Sequence, residues 1–340
     1  MNRDDFFYEL PADLIAQEPL PERQKSRLLV LDRKKKMIAH RHFEDIFEFL
    51  LPTDFLVFND TRVIPARLFG RKSPSGGKVE ILLVRQVGHL LWEALVKPGK
   101  RIQVGQKISL DGGRAEAEVV DRSSGGRILK FSVEGDFREF LAGAGLVPLP
   151  PYIHVPLCDP GRYQTVYAAQ DGSVAAPTAG LHFTPELLHL LGERGIKTAF
   201  VTLHIGPGTF RPVKSARIED HEMDVEHYFI KPAAKEAIKR AREEGRRIVA
   251  VGTTAARTLE SAADENGNII RDGGETRLFI YPGYRFKLVQ ALITNFHLPC
   301  STLLMLVSAL AGREAVFAAY REAVQRRYRF YSFGDAMFVV

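Results

Sequence analysis

Five short β-type runs follow one another between residues 66 and 134 with no helical pattern between them. They are Val79–Arg85, Leu90–Val96, Lys107–Leu110, Ala115–Val120 and Arg127–Val133, separated by Ser75-Gly76-Gly77, Asp111-Gly112-Gly113 and Ser124-Gly125-Gly126. Turns of this kind join antiparallel neighbours, because glycine reaches the positive φ angles that tight hairpins need. Five such strands in about seventy residues predict a small antiparallel barrel or sandwich.

The flanking chain follows a different rhythm. Arg27–Leu31, Asp54–Phe58, Lys197–His204, Arg246–Gly252, Arg277–Tyr281 and Ala291–Thr294 read as strands. They alternate with helical patterns over Phe43–Leu51, Pro185–Arg194, Ala233–Glu244, Ala255–Ala263 and Ser301–Tyr328. Alternation of this kind predicts an α/β layer architecture. The expected organisation is therefore an α/β domain with an inserted small antiparallel β-barrel domain, with residues 1–65 and 150–340 forming the α/β catalytic domain and 66–149 the barrel. The Pro-rich run Val147–Tyr152 reads as the returning linker.

A chain of 340 residues favours two domains over one. Its 45% hydrophobic and 26% charged residues fit a folded soluble protein. A net charge of +6 permits a polyanionic partner without demanding one. Two cysteines, Cys158 and Cys300, supply neither a disulfide framework nor a thiolate zinc site. Scarce cysteine and the absence of a signal-like start lead to the expectation of a cytoplasmic protein. The most apolar window, Leu292–Gly312, is interrupted by Asn295, His297, Pro299 and Ser301, so no membrane span is expected.

Three strands run straight into polar clusters. Val201–Ile205 leads into Gly206-Pro207-Gly208-Thr209-Phe210, Val249–Val251 into Gly252-Thr253-Thr254, and Leu292–Thr294 into Asn295-Phe296-His297. Ligands of open α/β sheets gather beyond the carboxyl ends of the strands, so these clusters are expected to share one site. Thr253 and Thr254, read as a threonine N-cap, would open a helix whose amides attract a carboxylate or phosphate; an ordinary capped helix explains the spacing equally well. Gly206-Pro207-Gly208 is an incomplete dinucleotide fingerprint followed by Pro212, which argues against a nicotinamide site.

His182 lies in the loop Pro177–Pro185, with Thr184 as N-cap, and suits either a base or a structural role. His204 and His297, placed after strands, are candidates for proton transfer, because imidazole titrates near working pH. The run His221–His227 matches no zinc motif, and a polar loop before a strand explains it as well. If that run is extended, Asp224 and Glu226 face the same side and could hold a cation. Lys97, Lys100, Arg101 and Lys107, and further on Arg326, Arg327 and Arg329, could contact phosphates. Phe330, Tyr331, Phe333 and Phe338 suit base stacking or simple core packing. Motif and spacing alone leave a small-molecule α/β enzyme and an RNA-binding module both open.

A set of ordered motifs narrows the choice. Tyr8–Pro11 through Leu14–Gln17, Ser26–Leu29, Phe58–Arg67, Arg162–Tyr167, Ala176–Thr184, Thr202–Pro212, Gly252–Glu260, Thr294–Pro299 and Tyr328–Met337 span nearly the whole chain. In these runs the sequence resembles the S-adenosylmethionine:tRNA ribosyltransferase-isomerases of queuosine biosynthesis. The resemblance implies transfer and isomerisation of the ribosyl part of S-adenosylmethionine onto 7-aminomethyl-7-deazaguanine at the wobble position of a tRNA. Epoxyqueuosine is the implied product, with adenine and methionine released. It implies S-adenosylmethionine as donor substrate, tRNA as partner, no metal and no membrane; a monomer is expected.

On that reading His204, His297 or His182 supplies the base or acid, and Asp224 or Glu226 a carboxylate for the sulfonium or the aminomethyl cation. Thr253, Thr254 and Arg257 are expected to hold the methionine carboxylate, with Gly206, Gly208 and Asn295 completing the donor site. Arg62, Arg67, Lys97, Lys100, Arg101, Arg326, Arg327 and Arg329 form the expected tRNA-binding set. The chain departs from the family pattern at Asp224 and Gln290, where histidine and an acidic residue are common, and at Gly161, where aspartate is common.

Overall fold

The computed structural model describes residues 1–123, 125–210 and 213–340. Ser124 of the third glycine turn, and Arg211 and Pro212 at the end of the Thr202–Pro212 run, lie outside the described residues. The chain divides into two compact units: Met1–Thr61, Pro151–Gln170 and Pro177–Val340 form the first, and Arg62–Pro150 with Asp171–Ala176 the second.

The strands are β1 (Arg27–Asp32), β2 (Met37–His42), β3 (Asp54–Asn59), β4 (Thr61–Val63), β5 (Arg67–Ser73), β6 (Lys78–Gly88), β7 (Leu91–Lys97), β8 (Lys107–Leu110) and β9 (Ala115–Arg122). After them come β10 (Arg127–Val133), β11 (Gln170–Ser173), β12 (Lys197–His204), β13 (Glu226–Phe229), β14 (Arg247–Val251), β15 (Gly273–Thr276), β16 (Ala291–Asn295) and β17 (Ala336–Val339). The α-helices are α1 (Phe137–Ala144), α2 (Pro185–Glu193), α3 (Pro232–Glu243), α4 (Thr253–Ala262), α5 (Thr302–Ala311) and α6 (Arg313–Gln325).

The first unit is built on a nine-stranded sheet in the order β15-β13-β12-β3-β14-β16-β17-β1-β2. Its centre, β12-β3-β14-β16, is parallel. Parallel strands need cover on both faces, which explains why every residue of β3 and β16 is buried. Leu56 and Phe58 of β3 pack with Val249, Val251, Phe183 and Leu187 on one face, while α3 and α4 pack along β12 and β14. Each such aliphatic or aromatic side chain contributes about 1.5–3 kcal/mol by leaving water.

The second unit contains the expected barrel, closed as β10-β7-β6-β5-β8-β9. It has six strands where five are read from the sequence. The additional strand β5 pairs with both β6 and β8, and so closes the ring. Its basic residues and Gly70 hide the strand signal, yet Gly70 suits it: a Cβ there would lie 2.6 Å from the Ser109 carbonyl oxygen. Leu68, Ile81, Leu83, Ile108, Ala117 and Leu129 share the interior.

Four further expectations are corrected. Phe43–Glu48 is a 3-10 helix rather than the start of an α-helix. The Ser301–Tyr328 pattern splits into α5 and α6 at Gly312, whose φ of 84° breaks the helical path. The strand placed at Arg277–Tyr281 forms instead at Gly273–Thr276; the Leu278 carbonyl accepts from Arg257 Nε at 3.1 Å. Finally, Gly252, at φ 90°, is the N-cap of α4, and no side chain caps this helix. Among the described residues no single helix is long and apolar enough to cross a membrane.

Candidate active site

Because the central strands are parallel, β3, β12, β14 and β16 all end on one edge of the sheet. Hydrogen bonds tie their ends together. The fully buried Asn59 donates from Nδ2 to the Leu203 carbonyl (3.0 Å) and to Thr254 Oγ1 (3.1 Å). Its Oδ1 accepts from the backbone amides of Leu203 (3.0 Å) and Thr61 (3.2 Å). One amide thus fixes the ends of β3 and β12 and the first turn of α4. Asp60 beside it accepts from Thr202 Oγ1 at 2.5 Å and has Lys231 Nζ 3.6 Å away. Neither Asn59 nor Asp60 is among the residues singled out from the sequence, although the polar step after the apolar run Phe55–Phe58 marks the place.

The three candidate histidines have different surroundings. His204 ends β12, is half-buried, and lies with Nδ1 2.8 Å from Thr61 Oγ1. His297 is buried, its Nε2 is 2.8 Å from Thr294 Oγ1, and burial pushes its pKa down to about 3. Its backbone is held on both sides, the amide donating to Tyr320 Oη and the carbonyl accepting from Tyr8 Oη.

His182 is also buried, stacked on Phe43 with centroids 5.0 Å apart. Burial, reinforced by the charges of Arg23 and Arg329, lowers its pKa to about 3. Asn295 Oδ1 accepts from Thr178 Oγ1, so its Nδ2 faces His182 Nε2 at 3.1 Å. His182 therefore accepts at Nε2 and carries its proton on Nδ1, donated to Ser26 Oγ at 2.7 Å.

At α4 the sequence-expected acceptor and binder meet each other. Arg257 Nη1 bonds Glu226 Oε2 in a buried ion pair, and Glu226 Oε1 accepts from Thr209 Oγ1 at 3.0 Å. Arg257 Nη2 is buried with no hydrogen-bond partner among the described residues. The first residues of α4, Thr253 and Thr254, are buried, and Thr254 Oγ1 is turned to Asn59. With no capping side chain, the leading amides of α4 are left to a ligand or to water.

Asp224 and Glu226 do not share a setting: Asp224 is exposed and Glu226 is 4% exposed. Asp224 lies instead against Gly208, where a Cβ would fall 1.9 Å from its Oδ2, so only glycine permits this approach. Gly206 has open space around its Cα.

Several of the arginines expected to meet tRNA are held within the protein. Arg327 pairs with Asp13 at 2.6 Å and Arg326 with Glu322 at 3.1 Å, while Arg329 donates to the Glu18 carbonyl. In the second unit Arg62 lies 3.6 Å from Asp171 and Arg67 3.6 Å from Glu80. Lys97, Lys100 and Arg101 are exposed. Phe330, Phe333 and Phe338 are buried, so core packing, rather than base stacking, accounts for them.

A family profile described as queuosine biosynthesis protein matches residues 3–339. An S-adenosylmethionine:tRNA ribosyltransferase-isomerase of Caldanaerobacter subterraneus subsp. tengcongensis is 53% identical over 341 residues, covering 100% of both chains. One of Clostridioides difficile is 54% identical over 340 residues, again with full coverage of both. The crystal structure of S-adenosylmethionine tRNA ribosyltransferase from Thermotoga maritima is similar at 41% identity with a TM-score of 0.57, covering 99% of this chain and 100% of that one.

Proposed function

This chain belongs to the queuosine biosynthesis protein family, and from that membership we propose that it transfers and isomerises the ribosyl moiety of S-adenosylmethionine onto a tRNA. The observation that carries this reading is end-to-end identity above one half with relatives bearing that activity. It favours an enzyme over a non-catalytic RNA-binding module. The acceptor is 7-aminomethyl-7-deazaguanine at the wobble position, and the products are epoxyqueuosine in tRNA, adenine and methionine.

The chemistry divides among groups at the carboxyl edge of the sheet. A sulfonium acidifies the C5' hydrogens beside it, so a base that takes one proton lets the ribose open and adenine depart. His204 takes this role. A base with a pKa near 3 is too weak to hold a proton at neutral pH, which leaves His182 and His297 as neutral positioning residues. His182 fixes Asn295, and His297 fixes the end of β16 through Thr294.

The uncapped amides of α4 receive the methionine carboxylate, with the spare donor of Arg257 behind them. Glu226, neutralised by Arg257, keeps that guanidinium in place, and Asp224, exposed beside Gly208, is the carboxylate that meets the substrate cation. Incubating the protein with S-adenosylmethionine, with and without tRNA carrying the deazaguanine base, tests the function. Free adenine that depends on tRNA is the expected result; S-adenosylhomocysteine, or no adenine, rejects it.

A further inference from the structure

Two motifs remain without a role in the chemistry above, Arg162–Tyr167 and the segment that leads into Ser26–Leu29. They meet in a cleft of the first unit lined by Leu20, Arg23, Ser26, Arg162, His182 and Phe333, among others. Arg23 donates to the carbonyls of Gln164 (2.7 Å) and Gly161 (3.2 Å). Arg162 donates to the Leu20 carbonyl at 2.5 Å. Among the described residues neither guanidinium forms an ion pair with a carboxylate.

Partly burying two cations side by side is costly, because each loses water and repels the other, and the one nearby carboxylate that acts on Arg23, Asp159, forms no ion pair with it among the described residues. Their mutual repulsion registers in Arg23, whose pKa is held below its ordinary value by burial and then by Arg162, an effect that Asp159 opposes without cancelling. The rest of the lining adds no negative charge. His182 is neutral, with Nδ1 2.7 Å from Ser26 Oγ and a further hydrogen bond to the Arg23 backbone; in the tautomer protonated at Nδ1 the Ser26 hydroxyl donates to another partner. Arg329 adds to the positive field, its charge reaching His182 even though Asp335 and Glu18 oppose it, and its Nη1 is buried with no partner among the described residues.

We propose that Arg23 and Arg162, with the Ser26 hydroxyl, bind an oxyanion of a substrate, in first place a phosphodiester of the tRNA. Guanidinium groups match such oxygens with paired donors, and charge-assisted bonds of this kind are the strong ones. The other oxyanion present in the reaction, the methionine carboxylate, has the α4 amides available to it. The cleft also has a line to the chemistry, since His182 on its wall holds Asn295 at the end of β16. A phosphate bound here would set the depth at which the modified base enters. This rests on the proposed function for the identity of the substrates, though not for the anion chemistry itself.

Arg162→Gln and Arg23→Gln test it, each read by binding of an anticodon stem-loop RNA across a salt series and by the KM for S-adenosylmethionine. Loss of a phosphate contact lowers RNA affinity about tenfold and reduces the salt slope by about one, with KM unchanged. A tenfold rise in KM with RNA binding intact would assign the cleft to the carboxylate and keep the oxyanion site. Should a glutamine variant fail to fold, Arg162→Lys keeps the charge, loses the paired geometry and reads the same two quantities.

Inorganic phosphate supplies a probe that needs no turnover. At constant ionic strength it should raise the Tm of the unaltered protein and leave that of Arg162→Gln unmoved. RNA affinity and KM both unchanged in folded variants, or a phosphate effect that survives in Arg162→Gln, overturns the proposal. A protein that binds RNA through these arginines yet releases no adenine would overturn the proposed function and leave this inference standing.

Discussion

The two units carry charge in opposite ways. The barrel unit holds 15 Lys and Arg against 10 Asp and Glu, and the remainder of the chain 32 against 31, so five of the six excess positive charges fall in the barrel. In the α/β unit charge is set into the fold: Arg257 is buried on Glu226, and Arg247 grips the fully buried Asp54 at 2.7 Å. In the barrel charge stays at the surface, as at Lys97, whose side chain is 80% exposed although Glu80 lies 3.8 Å away. Buried charge fixes geometry and is costly to disturb, whereas surface excess attracts a polyanion at long range and fades with salt.

The strongest way to break this contrast is to remove one partner of a buried pair. Glu226→Ala leaves Arg257 uncompensated and should cost about 3–5 kcal/mol of stability, measured by urea unfolding. Lys97→Ala in the barrel should leave the unfolding midpoint unmoved. Equal losses at the two sites would erase the distinction.

Acid provides a second, graded test confined to the α/β unit. His182 and His297 are neutral in the folded protein with pKa values near 3, whereas in the unfolded chain they titrate near 6.5. Between those values the unfolded state binds more protons. Stability is therefore greatest above pH 6.5 and falls as pH drops toward 3, by about 1.4 kcal/mol per pH unit for each histidine. Replacing His182 by Gln should flatten the profile over that window; an unchanged slope would show that the ring takes up protons while folded.

The smallest expected effect belongs to the barrel. The triple change Lys97→Ala, Lys100→Ala and Arg101→Ala should weaken tRNA binding and reduce its salt slope by at most about three, leaving kcat for bound substrate unchanged. A fall in kcat with no change in salt dependence would move the barrel from attraction to chemistry.

The parts of this division that local pattern encodes could be read from the sequence. Glycine turns mark the barrel, and polar residues directly after apolar strands mark the edge where the proposed site lies, because parallel strands bring their ends to one side. Strand β5 escapes because Gly70 and its basic residues look like a loop until β6 and β8 pair with it. The joining of Glu226 to Arg257 escapes too, since which way a side chain points is settled by packing between residues 31 positions apart. The same holds for Arg23 and Arg162, whose partners are main-chain carbonyls that no residue pattern announces. The three histidines are equivalent in sequence and diverge only in burial: two are neutral and enclosed, and one stands half-open at the end of β12.

That divergence makes the base directly measurable. With S-adenosylmethionine carrying two deuterium atoms at C5' and a competent tRNA, the modified base should retain one deuterium, and adenine should appear in step with it. In His204→Gln both should slow by about 10²–10⁴-fold while RNA affinity stays unchanged. A product that retains both deuterium atoms, or a His204→Gln protein that turns over at the unaltered rate, would contradict proton removal by His204 at the sheet edge.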